Sequence, residues 1–351
     1  MSENHPSLQG AVESDLPAIF DMDIGSDPDD TYVAVMILKA PARFRPVLLI
    51  TNDETVAQGR ARFLAGLVAL AGVNVPVAAG LPSQRRRQVC LVEETGLFPN
   101  STRFDTIQAL IQTLRTHPRV RYFSLGALTN LDAALTQFPD LAQRVELVQM
   151  GPALAGAYRR ESPQYNARID PAAFHRVLSH VHKPRLVPSH STWGRYSDGR
   201  RQQLGVYPDD PFAAALRSAG ELPTLFVRHL EAWGQTGKPC SIMHDPLTVL
   251  SSLLPGLVTF ADVEMMLDVS GLAGLSTSSQ HALQSHAGRI DCVAGKDLAL
   301  STTAAATTIA CRMSFDVNHD AARSAIAMAL LGQPGMQIAK DWGKFNCTRT
   351  E

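Results

Sequence analysis

Cysteine is scarce and scattered in this chain. The five cysteines, Cys90, Cys240, Cys292, Cys311 and Cys347, are odd in number and form no CxxC pair. That spacing excludes a thiolate zinc site and a disulfide framework, and it fits buried thiols in a reducing, cytoplasmic compartment. Excess charge is missing too: 32 Lys and Arg stand against 33 Asp and Glu, a net of −1. A chain so balanced offers no basic surface to nucleic acid or to a membrane. No apolar run approaches the roughly 18 residues that a bilayer-spanning helix needs. Residues 1–16 have neither a basic nor an apolar segment, so they read as a flexible tail rather than a signal peptide. Internal repeats and low-complexity segments are absent as well. What is present is 351 residues, 45% of them hydrophobic, enough for a large core in one domain over 17–351.

The stretch that stands out is Ile19-Phe20-Asp21-Met22-Asp23-Ile24-Gly25-Ser26-Asp27-Pro28-Asp29-Asp30, with five carboxylates inside ten residues. Like charges at that density repel one another and raise each other's pKa values. A bound cation removes the cost, and hard divalent ions such as Ca²⁺ or Mg²⁺ take oxygen ligands of this kind. Helix capping explains one or two of these aspartates, not five. The stretch therefore reads as a metal site at a strand-to-helix turn, with Pro28 in the first turn of the helix.

The rest of the chain alternates between strand and helix. Apolar strands are expected at Ala18 to Asp23, Val47 to Thr51, Val75 to Ala79, Tyr122 to Leu125, Val145 to Met150, Leu186-Val187 and Met265 to Val269. Helices are expected over residues 55–71, over Asp105 to His117 and from Asp170-Pro171, with a closing helix over Asp316 to Leu331. This pattern predicts an α/β fold: a mainly parallel, mixed central sheet with helices on both faces. Ligands in such sheets sit beyond the carboxyl ends of the strands. Asp21 to Asp30, Asn52, Thr129 and the loop to Asn166 all follow strands, so four polar clusters converge on one site. The Arg85-Arg86-Arg87 run reads as solvated surface.

At these residues the chain resembles the inosine–uridine-preferring nucleoside hydrolase family. Asp21-Met22-Asp23-Ile24-Gly25 with Asp29-Asp30 resembles its DxDxGxDD signature. Val75 to Gly80, Leu125 to Leu131, Met150-Gly151 with Tyr165-Asn166 and Asp170-Pro171, and His244-Asp245-Pro246 are similar to further family blocks, in family order. The resemblance implies Ca²⁺-dependent hydrolysis of the N-glycosidic bond of ribonucleosides by a homodimer or homotetramer. It implies Ca²⁺ on Asp23, Asp30, the main-chain carbonyl of Thr129, and Asp245, with Asp23 also the general base. Asp29, Asn52, Gln164 and Asn166 would meet the sugar. His244 would stand near the leaving base and supply a proton near neutral pH.

Two departures go with the resemblance. Three residues, Ser26-Asp27-Pro28, separate Gly25 from the aspartate pair, where the family pattern has a single one; Asp27 thus becomes a further candidate ligand. Gln164 and Tyr158 stand where the family has a glutamate and an asparagine on the sugar's 3′ and 5′ side. With Arg159 and Arg160 nearby, they point to a changed 5′ pocket. Two other readings compete. Phe20-Asp21-Met22-Asp23 also resembles the nucleophile strand of haloacid-dehalogenase-like phosphatases, but that reading leaves Gly126 to Asn130 and His244 to Pro246 unexplained. A non-catalytic, nucleoside- or nucleotide-binding relative fits Tyr158 and Gln164, but not the retention of Asp23, Asp30 and Asp245.

Overall fold

The computed structural model describes residues 16–55, 57–82, 107–154, 163–195, 201–285 and 306–348. Its first half repeats a strand–helix unit: β1 (Ala18–Met22), α1 (Asp29–Lys39), α2 (Pro41–Phe44), β2 (Pro46–Thr51), α3 (Gly59–Ala71), β3 (Val77–Ala78), α4 (Ile107–Thr116), β4 (Val120–Ser124), α5 (Thr129–Gln137), β5 (Val145–Met150), α6 (Tyr165–Ile169), α7 (Pro171–His180) and β6 (Arg185–Val187). A more irregular stretch follows, with the hairpin β7 (Trp193–Arg195) and β8 (Arg201–Gln203), then β9 (Gly205–Val206), α8 (Pro211–Arg217), α9 (Glu221–Gln235) and β10 (Ser241–Ile242). The chain closes with α10 (His244–Ser251), β11 (Val258–Leu267), β12 (Ala273–Leu275), α11 (Thr277–Ser285), β13 (Thr307–Val317), α12 (His319–Leu331) and α13 (Gly335–Thr348).

Nine strands form one mixed sheet in the order β12-β11-β13-β6-β5-β4-β1-β2-β3. Pairing is parallel from β3 through to β13, and antiparallel where β11 meets β13 and β12. This is the α/β sheet with two covered faces that the alternation predicts. Successive residues of β1 enter different cores: Phe20 and Met22 pack with α1, α9 and α12, whereas Ile19 packs with α4, α5 and α7. A strand buried on both faces is largely apolar, which is why β1, β2 and β4 read as nearly continuous runs, interrupted by the buried, hydrogen-bonded Asp21 and Arg121.

Four boundaries differ from the sequence reading. The strand expected at Met265 to Val269 is the end of β11, which starts at Val258 and stops at Leu267. Its burial alternates, as on a sheet with one solvated face, so only its apolar end stood out. Val269 lies beyond it, 73% exposed, in a turn where the Asp268 carboxylate accepts the N–H groups of Ser270 and Leu272. The closing helix starts at His319 under an Asn318 cap, because Asp316 and Val317 finish β13, and α13 follows it. The helix expected over 55–71 starts only at Gly59, since Gln58, its N-cap, has a left-handed backbone that breaks the run. The strand at Val75 to Ala79 shrinks to Val77–Ala78. Tyr158, Arg159, Arg160, residues 85–87 and residues 1–15 lie outside the described residues.

Candidate active site

The site is built on a buried carboxylate that serves as a strut. Asp21 in β1 is fully buried, and three side chains donate to it: the Tyr122 hydroxyl at 2.5 Å, the Asn52 amide at 2.9 Å and the Asn130 amide at 3.0 Å. Burial pushes its carboxyl up to about 6 despite these donors. Asn130 also donates to the Thr51 carbonyl, and Asn52 accepts the Ala127 N–H, so the carboxyl ends of β1 and β2 are tied to the turn after β4 and to the N-terminus of α5. The packing is close enough that a Cβ on Gly126 would lie 2.2 Å from the Asn52 side-chain oxygen, which only glycine avoids.

A buried arginine holds the aspartate loop from behind. The Arg60 guanidinium, in the first turn of α3, donates to the carbonyls of Asp23 and of Ile24 (2.7 Å), to the Ser26 hydroxyl (3.1 Å), and to the carbonyl and carboxylate of Asp53 (2.9 and 3.1 Å). His229 of α9 reaches the same loop, 3.2 Å from the Ser26 carbonyl and 2.8 Å from the Thr31 hydroxyl. Sequence reading missed both residues. One signal existed for Arg60: it sits three and four positions before Phe63 and Leu64, on the apolar face of its helix.

Pro28 occupies the N-cap position of α1, and Asp29 and Asp30 open the helix. Asp245 is the second residue of α10, whose N-terminus meets that of α1; its N–H lies 3.4 Å from the Asp29 carboxylate. Asp29, Asp30 and Asp245 each place a carboxylate oxygen within 4.8 Å of the others, all buried. Burial first, and then the repulsion of neighbouring aspartates, holds all three carboxyls well above the ordinary range. One Asp30 oxygen is buried with no hydrogen-bond partner. Oxygen donors, surplus negative charge and an orphaned lone pair together fit a hard divalent cation. One consequence is measurable. Carboxyls whose folded pKa is raised stabilise the fold at low pH, and that contribution is lost as pH rises through the raised values. Without metal, stability measured by thermal unfolding should fall as pH rises above about 4, and added cation should abolish that slope.

Asp23, Asp29, Asn166, His244 and Asp245 line one cavity of about 490 Å³, together with Asp27, which accepts a hydrogen bond from the Ser241 hydroxyl. Gln164 also lines it, but its carbonyl caps α6 on the Asn166 N–H at 2.9 Å and its amide faces the Met150 sulfur at 3.4 Å. Asn166 donates to the Leu125 carbonyl at 2.8 Å. Thr129 and Asn52 are not among the cavity-lining residues. The Thr129 hydroxyl turns to Asp170, and the strand-end residue that lines the cavity here is Leu125.

His244 differs from its expected state. Its Nδ1 lies 2.7 Å from the Thr192 hydroxyl, which donates its only proton to the Ser189 carbonyl at 2.7 Å. Nδ1 must therefore carry the ring proton, leaving the Nε2 lone pair free to accept. Burial pushes the imidazole down to about 3, so it is neutral at pH 7 rather than poised to titrate there.

Fold and cavity together define an α/β enzyme with its site beyond the strand ends. The family model for inosine-uridine preferring nucleoside hydrolases matches residues 18–324, and the chain belongs to that family, whose members hydrolyse N-glycosyl bonds. Three solved structures share the fold. A plant nucleoside hydrolase, PpNRh1, is 18% identical over 90% of this chain and 99% of its own, with a TM-score of 0.68. A purine-preferring ribonucleoside hydrolase from Gardnerella vaginalis is 16% identical over 92% and 99%, at 0.63. An inosine-uridine preferring nucleoside hydrolase from Bacillus anthracis is 15% identical over 93% and 99%, at 0.62. No curated protein matches the chain.

Proposed function

We propose that the protein hydrolyses the N-glycosidic bond of ribonucleosides with Ca²⁺ held by Asp23, Asp30 and Asp245. The observation that carries this reading is the buried trio Asp29, Asp30 and Asp245, with an orphaned oxygen on Asp30 and with Asp29 and Asp245 lining a cavity at the strand ends. A main-chain carbonyl of the turn after β4 would complete the set, that of Thr129 by the family resemblance, with Leu125 the residue of that turn that lines the cavity. When bound, the ion supplies Lewis acidity that makes a water easier to deprotonate.

The chain's own residues do the rest. Asp23 takes the proton of the attacking water. Asp29 and Asn166 hold the ribose hydroxyls, and the surrounding carboxylates stabilise the positive charge that develops on the sugar as the bond breaks. His244, neutral and with Nε2 free, accepts a hydrogen bond from the substrate and orients it. Asn52 acts one step back, by fixing Asp21 and the turn at Ala127.

The test is ribose release from a panel of ribonucleosides, with Ca²⁺ and then with a chelator. Release should fall by about 10²-fold or more on chelation and return when Ca²⁺ is restored. Release that ignores the chelator rejects the metal's role. No release with Ca²⁺ bound rejects plain ribonucleosides as substrates and leaves a 5′-modified substrate or a binding protein.

A further inference from the structure

The cavity has an acidic floor, but its wall carries the opposite charge. Arg168 and Lys238 both line it. Among the described residues neither pairs with a carboxylate. Arg168 lies in α6, two residues beyond Asn166, with its guanidinium carbon 5.5 Å from the centre of the Tyr165 ring. An arginine stacked on an aromatic ring is pre-organised, and its fork of donors matches the oxygens of a phosphate. Nothing on its own helix neutralises it. Gln164 at the cap is uncharged and spent on Asn166 and Met150. Asp170, at the far end, is spent on the Ala173 N–H and the Thr129 hydroxyl. A plain nucleoside is neutral and leaves both cations without a counter-charge.

The acidic floor fixes which part of a ligand carries that counter-charge. A ribose diol suits carboxylates and a divalent cation. A phosphate on O2′ or O3′ would instead meet Asp29 and Asp245 at close range, where like charges repel most. The 5′ carbon is the sugar position that leads away from the floor. We propose that the cavity takes 5′-phosphorylated ribonucleosides, with the ribose on the acidic floor and the phosphate on Arg168 and Lys238. This rests on the glycosidase reading above and names its substrate. The bond changes are those of any N-glycoside hydrolysis. The water oxygen bonds to C1′, and the C1′–N bond breaks with its electron pair going to the base. The base takes one proton, and the phosphate stays on the sugar as ribose 5-phosphate.

The experiment compares kcat/KM on the full chain with Ca²⁺ for inosine, uridine, adenosine and cytidine against their 5′-monophosphates. At least one monophosphate should exceed its nucleoside by about tenfold or more, the size of one charge-assisted contact. Arg168→Met and the exposed Lys238→Met should each lower that ratio by about tenfold. Nucleosides turned over with their monophosphates no better would overturn this inference alone, as would a ratio that neither variant moves. Turnover of neither series, with Ca²⁺ bound, would overturn the glycosidase reading and this inference with it.

Discussion

Ribose release by Asp23→Asn is expected to fall by about 10³-fold or more, and its Ca²⁺ affinity to fall by about tenfold. The two losses share one cause. Asp23 lies just past the end of β1, and the repulsion it exerts on Asp29, Asp30 and Asp245 places its carboxylate in the same electrostatic cluster. An amide cannot accept a proton from water, and it removes one negative charge from the set that attracts the cation. His244→Ala is the control. It should lower kcat by about 10- to 100-fold while Ca²⁺ binds as before, because the imidazole is neutral and turned to Thr192. Calorimetric Ca²⁺ titration beside steady-state kinetics separates the two outcomes. An Asp23→Asn protein with full turnover would show that the base lies elsewhere.

Arg60→Met should cost about 3–5 kcal/mol, as expected when one partner of a buried ion pair is removed. At the usual unfolding entropy per residue, that lowers Tm by about 4–7 °C. The change takes the Arg60 cation from the buried Asp53 carboxylate and its donors from the carbonyls of Asp23, Ile24 and Asp53, and a thioether replaces none of them. It also releases the longer Ser26-Asp27-Pro28 segment from its anchor, so Ca²⁺ affinity should fall alongside stability. Arg60→Lys keeps the charge but cannot span the same acceptors, and it should fall in between. Thermal unfolding with and without Ca²⁺ measures both effects. Equal stability of Arg60→Met and the parent would mean that the loop holds its shape without the clamp.

Much of this was legible in the sequence because the signals are local. The apolar runs of β1, β2, β4 and β5 announce strands buried on both faces. The Asp21 to Asp30 crowding, the Leu125 to Asn130 turn, Asn166 and His244-Asp245 sit directly where strands end or helices begin. What was hidden depends on distant partners. Nothing near Asp21 distinguishes it from Asp23, yet Tyr122, Asn52 and Asn130 make it a strut rather than a cavity residue. Nothing near Arg60 says that five acceptors wait for it across the loop. The state of His244 is set by a hydroxyl proton 52 positions away, and no composition or spacing carries that information. The strand β11 was cut short for a different reason: alternating burial gives a weak apolar signal.

The floor of the cavity also fixes an order of events. Asp29 and Asp245 approach each other across 216 positions of sequence, through the meeting of α1 and α10. In between lie five strands of the main sheet joined after β1, so closing that distance is the work of nearly the whole chain. On the proposed reading, a chain whose α1 and α10 have not yet met offers no complete ion site, so calcium would not template its collapse. The ion would bind last, and its influence would fall on how slowly the finished protein comes apart rather than on how fast it forms.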